Sequence, residues 1–316
     1  MRRLLSGMLC VAPLSLALIG FSGCGTSNRP TDGTDAGTSA DAGQTGPTTF
    51  TNHAKSHASY VPNSEHPATT SQLIVMGDSI SAGYGTSADN LSYAALLDSN
   101  ADATWPSEMN SSLSAYYKIP VPVLNVSHAG DTTDNLAAQQ AKLDAKAPFA
   151  GPQIVTITIG GNDLTGALYG GQDPNGAVLT NAIQNIKNLV TDLQDKTKFP
   201  GGTSIYLMTV YDPTDGKGQA TGCFGGLSAP SFVTALDNWR TQYIKLGTDM
   251  GFSVVDALGH FHGHGFNNMD TSNRYYDAMD PSRWFYTDCI HPNDRGHDEL
   301  RRLFFEAIDW SYVATP

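Results

Sequence analysis

The chain has 316 residues, 40% of them hydrophobic and 15% charged, with a formal net charge of −12. That length suffices for one large folded domain with a full core, or two small ones. The acidic balance offers no basic stripe to neutralise phosphates, which excludes a nucleic-acid partner.

Arg2 and Arg3 precede an apolar stretch, "LLSGMLCVAPLSLALIGF", which closes on "FSGC". A basic start, an apolar run interrupted by Pro13 and a small-residue end predict a secretory signal over residues 1–23, without the length or flanks of a transmembrane helix. The ending resembles the lipobox of bacterial lipoproteins, with Phe21 in the place of the usual Leu; the resemblance implies lipidation of Cys24 and a membrane anchor through it. The alternative is ordinary secretion with cleavage nearby. Both readings place the protein outside the cytoplasm, in the periplasm, on the cell surface or secreted. Removal of Arg2 and Arg3 leaves 16 basic against 30 acidic residues. Residues 24–70 begin "CGTSNRPTDGTDAGTSADAGQTGPTT" and hold no large apolar residue before Phe50. Such a segment cannot bury enough surface to offset its ordering entropy, so a disordered tether with a coil dimension of roughly 35–40 Å is expected.

From residue 71 to 316 a single domain is expected. "QLIVMG" (72–77), "VPVLNVS" (121–127), "QIVTITIG" (153–160), "SIYLMTVY" (204–211) and "FSVVDAL" (252–258) are short apolar runs that predict five strands. Between them Ile183, Ile186, Val190 and Leu193 recur at helical steps, as do Phe232, Leu236, Trp239 and Tyr243 after Pro230. Leu300, Leu303, Phe304, Ala307 and Ile308 form another such face. Strands apolar nearly throughout, alternating with helices, predict a three-layer α/β/α fold around a five-stranded parallel sheet. Ligands bind such sheets outside the C-terminal strand ends. Ser79 follows the first strand, His128 and Gly130 the second, and Asn162 the third.

A serine hydroxyl becomes a nucleophile only beside a base, the base needs an orienting carboxylate, and the developing oxyanion needs donors. "YTDCIHPNDRGH" places Asp288 and His291 three residues apart, close enough for one loop to present both, with a helix expected from about Asp294. "GDSIS", "NVSHAGDTT", "IGGND" and "DCIHPND" together resemble the four blocks of the SGNH (GDSL-type) hydrolases, in that family's order, over essentially all of residues 72–312. The resemblance implies a flavodoxin-like fold, Ser79 as nucleophile, His291 as general base and then acid, and Asp288 as its partner. It also implies an oxyanion hole from the backbone N–H groups of Ser79 and Gly130 and the side-chain amide of Asn162, with no cofactor. An imidazole base must be neutral to take the serine proton, so activity is expected to rise with pH across the ordinary imidazole range. The α/β-hydrolase elbow G-x-S-x-G is excluded by the run from Gly77 to Ser81.

The expected function is hydrolysis of carboxylic esters (lipid or short acyl) by a monomer. An acetylesterase acting on acetylated polysaccharide or peptidoglycan is the alternative. A binding module with a dead site is a third reading, disfavoured by the intact Ser79, Asp288 and His291. Asp78 and Asp163 are expected to fasten loops, His128 to be a wall or core residue, and Gly160 and Gly161 to let backbone approach the site. With Cys10 removed and Cys24 lipidated, Cys223 and Cys289 are expected to pair, pinning the loop that carries the base. His260, His262 and His264 alternate with glycines or Phe261 and lack a ligand-type spacing, so they are expected at the mouth of the active site and not around a metal. Loops 84–120, 165–178 and 212–230 are expected to shape specificity, with Tyr84, Trp105, Tyr169, Phe224 and Trp284 as candidate acyl-site walls.

Overall fold

The computed structural model describes residues 67–219, 223 and 229–309. The signal, Cys24, Phe224 and most of the tether lie outside them. Five strands form one parallel sheet: β1 (Gln72–Gly77), β2 (Val123–Asn125), β3 (Gln153–Thr158), β4 (Thr203–Met208) and β5 (Ser253–Val255), in the order β2-β1-β3-β4-β5. β1 pairs with β2 from Leu73↔Val123 and with β3 from Gln72↔Gln153, so the C-terminal ends of β1 and β3 finish level at Gly77↔Thr158.

Side chains alternate across a strand, and here the alternation divides two cores. Ile74, Met76, Val155, Ile157, Ile205, Leu207 and Val254 face α3 (Leu136–Asp144), α4 (Gly161–Tyr169), α5 (Ala177–Leu193) and α6 (Pro230–Met250). Leu73, Val75, Ile154, Tyr206, Met208 and Val255 face the other layer, α1 (Tyr93–Asp98), α2 (Leu113–Tyr117), α7 (Ala257–Phe261) and α8 (Asp294–Ile308). The protein is a three-layer α/β/α structure. Apolar burial on both faces explains why the strands read as unbroken apolar runs.

Three expectations need adjusting. The segment 84–120 is not a loop: it carries α1 and α2, whose first turns are capped by Ser92 and Ser112. The run 252–258 is a three-residue strand followed by a helix, because the Asp256 carboxylate accepts the Gly259 N–H and starts α7. Order also begins before residue 71. Thr70 is buried and bonds the Gln72 carbonyl, and the Tyr117 hydroxyl donates to the Pro67 carbonyl at 2.7 Å. No helix among the described residues is long and apolar enough to cross a membrane.

Candidate active site

β1 ends at Gly77, where the chain must turn away while staying against β3. Gly77 has φ +122°, and a Cβ there would sit 1.9 Å from the Thr158 carbonyl oxygen, so only glycine fits. The Asp78 N–H continues the ladder to that carbonyl at 2.9 Å. The turn is then tied from beneath. The Gln139 side chain, from α3, accepts the Gly77 N–H at 2.8 Å and donates to the Gly77 carbonyl at 2.7 Å, as a neighbouring strand would. The Ser81 hydroxyl lies 2.7 Å from the Met76 carbonyl and 2.7 and 2.8 Å from the Thr158 and Tyr93 hydroxyls. Asp78 accepts the Ile80 N–H and the Thr158 hydroxyl. Its burial pushes the carboxyl up to about 7, against the lowering effect of those bonds and of nearby His291. These contacts leave Ser79 at the tip of a rigid turn.

The partner loop comes from the far end of the chain. His291 Nε2 lies 2.7 Å from Ser79 Oγ, and His291 Nδ1 lies 2.6 Å from Asp288 Oδ2. Asp288 Oδ1 accepts the N–H groups of Ile290 and His291, both at 3.0 Å. Partial burial raises the Asp288 pKa, but the bonds from the His291 ring and from these N–H groups outweigh it and hold the carboxyl below its ordinary value. Between the two residues Cys289 takes φ +71° and is bonded to Cys223. The Tyr211 hydroxyl donates to the Ile290 carbonyl, and the Tyr84 ring packs on the His291 ring at 5.0 Å.

Opposite this loop, Asn162 and Asp163 open α4 and fasten the segment after β2. The Asn162 amide donates to the Asp131 carbonyl at 2.8 Å, and Asp163 accepts the Thr133 N–H and hydroxyl. Gly130, at φ +86°, lies in that segment with open space on its Cβ side. Ser79 and Asn162 share a chamber of about 80 Å³ whose other walls include Ile159, Met208, Val210, Tyr211, Phe232 and Ile290.

A hydroxyl, an imidazole and a carboxylate in line at the C-terminal sheet edge, beside an apolar chamber, can activate an alcohol for attack on an acyl carbonyl. The model of the GDSL-like lipase/acylhydrolase family matches residues 75–299, which take in every residue of that arrangement. The chain belongs to this family. This GDSL hydrolase is a carboxylic ester hydrolase of the SGNH type. Among solved structures it is similar to the acetylxylan esterase Axe2 of Geobacillus stearothermophilus (20% identity, 78% of this chain and 97% of that one, TM-score 0.48). It is also similar to an extracellular lipase of Streptomyces rimosus (17% identity, 76% and 100%, TM-score 0.45). A gut microbial diltiazem-metabolizing enzyme matches at 17% identity over 77% of this chain and 48% of its own, with a TM-score of 0.51. No curated protein matches the chain.

Several residues of this hydrolase lie elsewhere than expected. Gly160, at φ +103°, makes room for Tyr243 and Trp239 of α6, which a Cβ would meet at 2.2 and 2.9 Å; it serves helix packing, while Gly161 lines the chamber. His128 is a surface residue, its side chain 68% exposed and paired with Asp131. Trp105 packs in a satellite cluster with Leu91 and Leu96, and Trp284 is buried against His264 at 3.5 Å. Tyr84 stands at the site, against His291, and Tyr169 lines an adjoining pocket.

His260, His262 and His264 are not at the mouth beside Ser79. His260 bonds Glu299, His262 stacks on Tyr275, and all three border a separate cavity of about 600 Å³ with Arg240 and Arg274. Among the described residues no group of three or more His, Cys, Asp or Glu has a metal-holding arrangement.

Sequence reasoning missed Gln139 and His297. The His297 ring accepts the Tyr93 N–H at Nδ1 (3.2 Å) and donates from Nε2 to the Tyr84 carbonyl (2.8 Å). Its buried position pushes its pKa down to about 4. The sequence carries one signal for it, a histidine in the first turn of a helix directly after the "DCIHPND" block.

Proposed function

We propose that this GDSL hydrolase is a serine esterase acting through an acyl-enzyme, with Ser79 as nucleophile, His291 as base and acid, and Asp288 as the residue that orients the imidazole and stabilises its charged form. The observation that carries the reading is the line from Asp288 through His291 to Ser79 Oγ, with bonds of 2.6 and 2.7 Å, opening on the apolar chamber. Ser79 gives its proton to His291 Nε2 as Oγ attacks the ester carbonyl carbon. The bond to Asp288 holds the Nδ1–H tautomer and stabilises the imidazolium that forms. The oxyanion is received by the N–H groups of Ser79 and Gly130 and by the Asn162 amide, whose other N–H is committed to Asp131 and fixes its direction. Collapse expels the alcohol with the proton from His291. Water, activated by the same imidazole, then attacks the acyl-enzyme carbonyl and releases the acid.

The acyl group takes the apolar chamber between the ends of β3 and β4 and the first turn of α6, and the alcohol leaves past Tyr84. The chamber supports short to medium acyl chains. Acetyl groups also fit it, so a chain-length profile peaking at acetate would favour acetylated glycans. The Cys223–Cys289 bridge supports an extracytoplasmic protein, in keeping with a signal and an anchor at Cys24.

The test uses p-nitrophenyl esters of graded acyl length with the mature protein and Ser79→Ala. Loss of about 10⁴–10⁶ in kcat is expected for the variant. Equal activity in both proteins would remove Ser79 from the mechanism.

A further inference from the structure

The chamber beside Ser79 has an apolar neighbour. A second apolar pocket of about 30 Å³ lies against it, lined by Leu168, Tyr169, Thr214, Gly218 and Ala229. Two residues wall both spaces: Thr165 of α4 and Phe232 of α6. The Thr165 hydroxyl is already committed to the Gly161 carbonyl at 2.7 Å, one turn back in its own helix. Phe232 packs with its inner side on the core that holds α6 to the sheet. The outer pocket reaches the surface at Tyr169, which is 63% exposed.

Building on the serine-esterase reading above, we infer that Thr165 and Phe232 form a partition that sets acyl-chain length, dividing an inner subsite for the first carbons from an outer apolar subsite for the rest of a longer chain. An acyl chain that outgrows the inner chamber of about 80 Å³ meets Thr165 and Phe232 on its way to the outer pocket. Each methylene that finds apolar cover is worth about fourfold in binding, and each that meets the partition loses it. Rates on wild type are thus expected to climb from acetate to butyrate or hexanoate and to fall by decanoate. Phe232 decides the cutoff because it is the larger of the two walls, and because a side chain in the first turn of α6 can be shortened without touching Ser79, His291 or Asn162.

The experiment measures kcat/KM on p-nitrophenyl acetate, butyrate, hexanoate, octanoate and decanoate for wild type, Phe232→Ala and Phe232→Trp. Ser79 is titrated in each protein by a fluorophosphonate, with the labelled peptide read by mass spectrometry. Phe232→Ala is expected to raise the decanoate-to-butyrate ratio at least 10-fold, and Phe232→Trp to lower the hexanoate-to-acetate ratio. The two variants move in opposite directions, so a general loss of folding cannot imitate the result. Labelled Ser79 with an unchanged chain-length profile in both variants would overturn the partition and leave the esterase reading standing. Absence of Ser79 labelling in active wild type would overturn both.

Discussion

Residues 77–81 and residues 286–292 meet in the bond between Ser79 and His291, but they reach it by different routes. The first segment is the direct continuation of a central strand. Its backbone is held by β3, by Gln139 and by the buried hydroxyls of Ser81, Thr158 and Tyr93, all within the body of the fold. The second has only the short antiparallel bridge Phe285↔Pro292 as regular pairing. Its position comes from separate attachments: the bond to Cys223, the Tyr211 hydroxyl, and residues 84–87 laid across it. There Tyr84 packs on His291, a Cβ on Gly85 would strike the Pro292 carbonyl at 2.1 Å, and Ser87 donates twice to Asp294. A side chain on a strand end inherits the sheet's rigidity. One on a surface loop must be secured contact by contact, and each contact can be cut singly.

The deepest cut is the disulfide. The bridge closes a loop with a sequence separation of 66 residues, for which the chain-entropy model gives about 4 kcal/mol. Replacing both cysteines by serine is expected to lower unfolding stability by about that amount in urea titrations. It is also expected to lower kcat/KM at least 10-fold with KM little changed, because the bridge fixes the loop that holds His291, the proposed base, and does not line the chamber. A destabilised variant with wild-type kcat would show that the loop finds its place without the bridge.

His297 joins the two regions, since it bonds Tyr93 beneath the Ser79 turn and Tyr84 beside His291. Both contacts require the neutral ring with the proton on Nε2; a second proton on Nδ1 would face the Tyr93 N–H. Its folded pKa of about 4, below the ordinary 6.5, means that the unfolded chain binds the extra proton first as pH falls. The stability from this group is therefore complete above about pH 6.5 and is lost on descending toward pH 4, by about 3 kcal/mol at pH 4. His264, also pushed down by burial to about 4, adds to the slope, and Asp78, raised to about 7, opposes it. The measurement is accordingly a difference: urea unfolding of wild type and His297→Gln at pH 7 and pH 4. The gap between them should change by about 3 kcal/mol, to the disadvantage of wild type at the lower pH. A constant gap would mean that His297 does not take up its proton on unfolding.

The same contrast explains what could be read in advance. β1 and β3 were legible because a central parallel strand is buried on both faces and leaves an unbroken apolar run. At the sheet edges β2 kept only the middle of its run, and β5 lost the later half of its own to α7. Asp288 and His291 were legible as a local pair, three residues apart in one loop, and Ser79 by its place after the first strand. Gln139 was not legible: a glutamine within a helix looks like surface, and its partner Gly77 lies 62 residues away. His297 was hidden for the same reason, with Tyr93 204 residues distant. The alternating histidines misled because their places depend on a helix started by Asp256 and on rings brought by residues 275 and 284. Polar residues that fasten one segment to a distant one carry no periodicity, and composition does not separate them from solvent-facing ones.

The smallest expected effect concerns Tyr84. Its ring packs at a tilt against the His291 imidazole and, in the proposed mechanism, stands on the side by which the alcohol leaves, yet it is 45% exposed, so replacing it opens no core cavity. Aromatic pairs of this kind contribute about 0.5–1.5 kcal/mol beyond area. Tyr84→Ala should therefore cost about 10-fold at most in kcat/KM, while Tyr84→Phe, which keeps the ring, should retain the larger part of the activity. The way the loss divides tells which of two jobs the ring does. If it steadies the imidazole, kcat falls for every ester and the pH profile moves with it, since the ring alters the surroundings of the base. If it is a wall for the departing alcohol, the loss grows with the size of the alcohol at fixed acyl group, and the pH profile stays where it was. The first outcome would add Tyr84 to the contacts that secure the base loop. The second would make residues 84–87 the counterpart, on the alcohol side, of the partition formed by Thr165 and Phe232 on the acyl side.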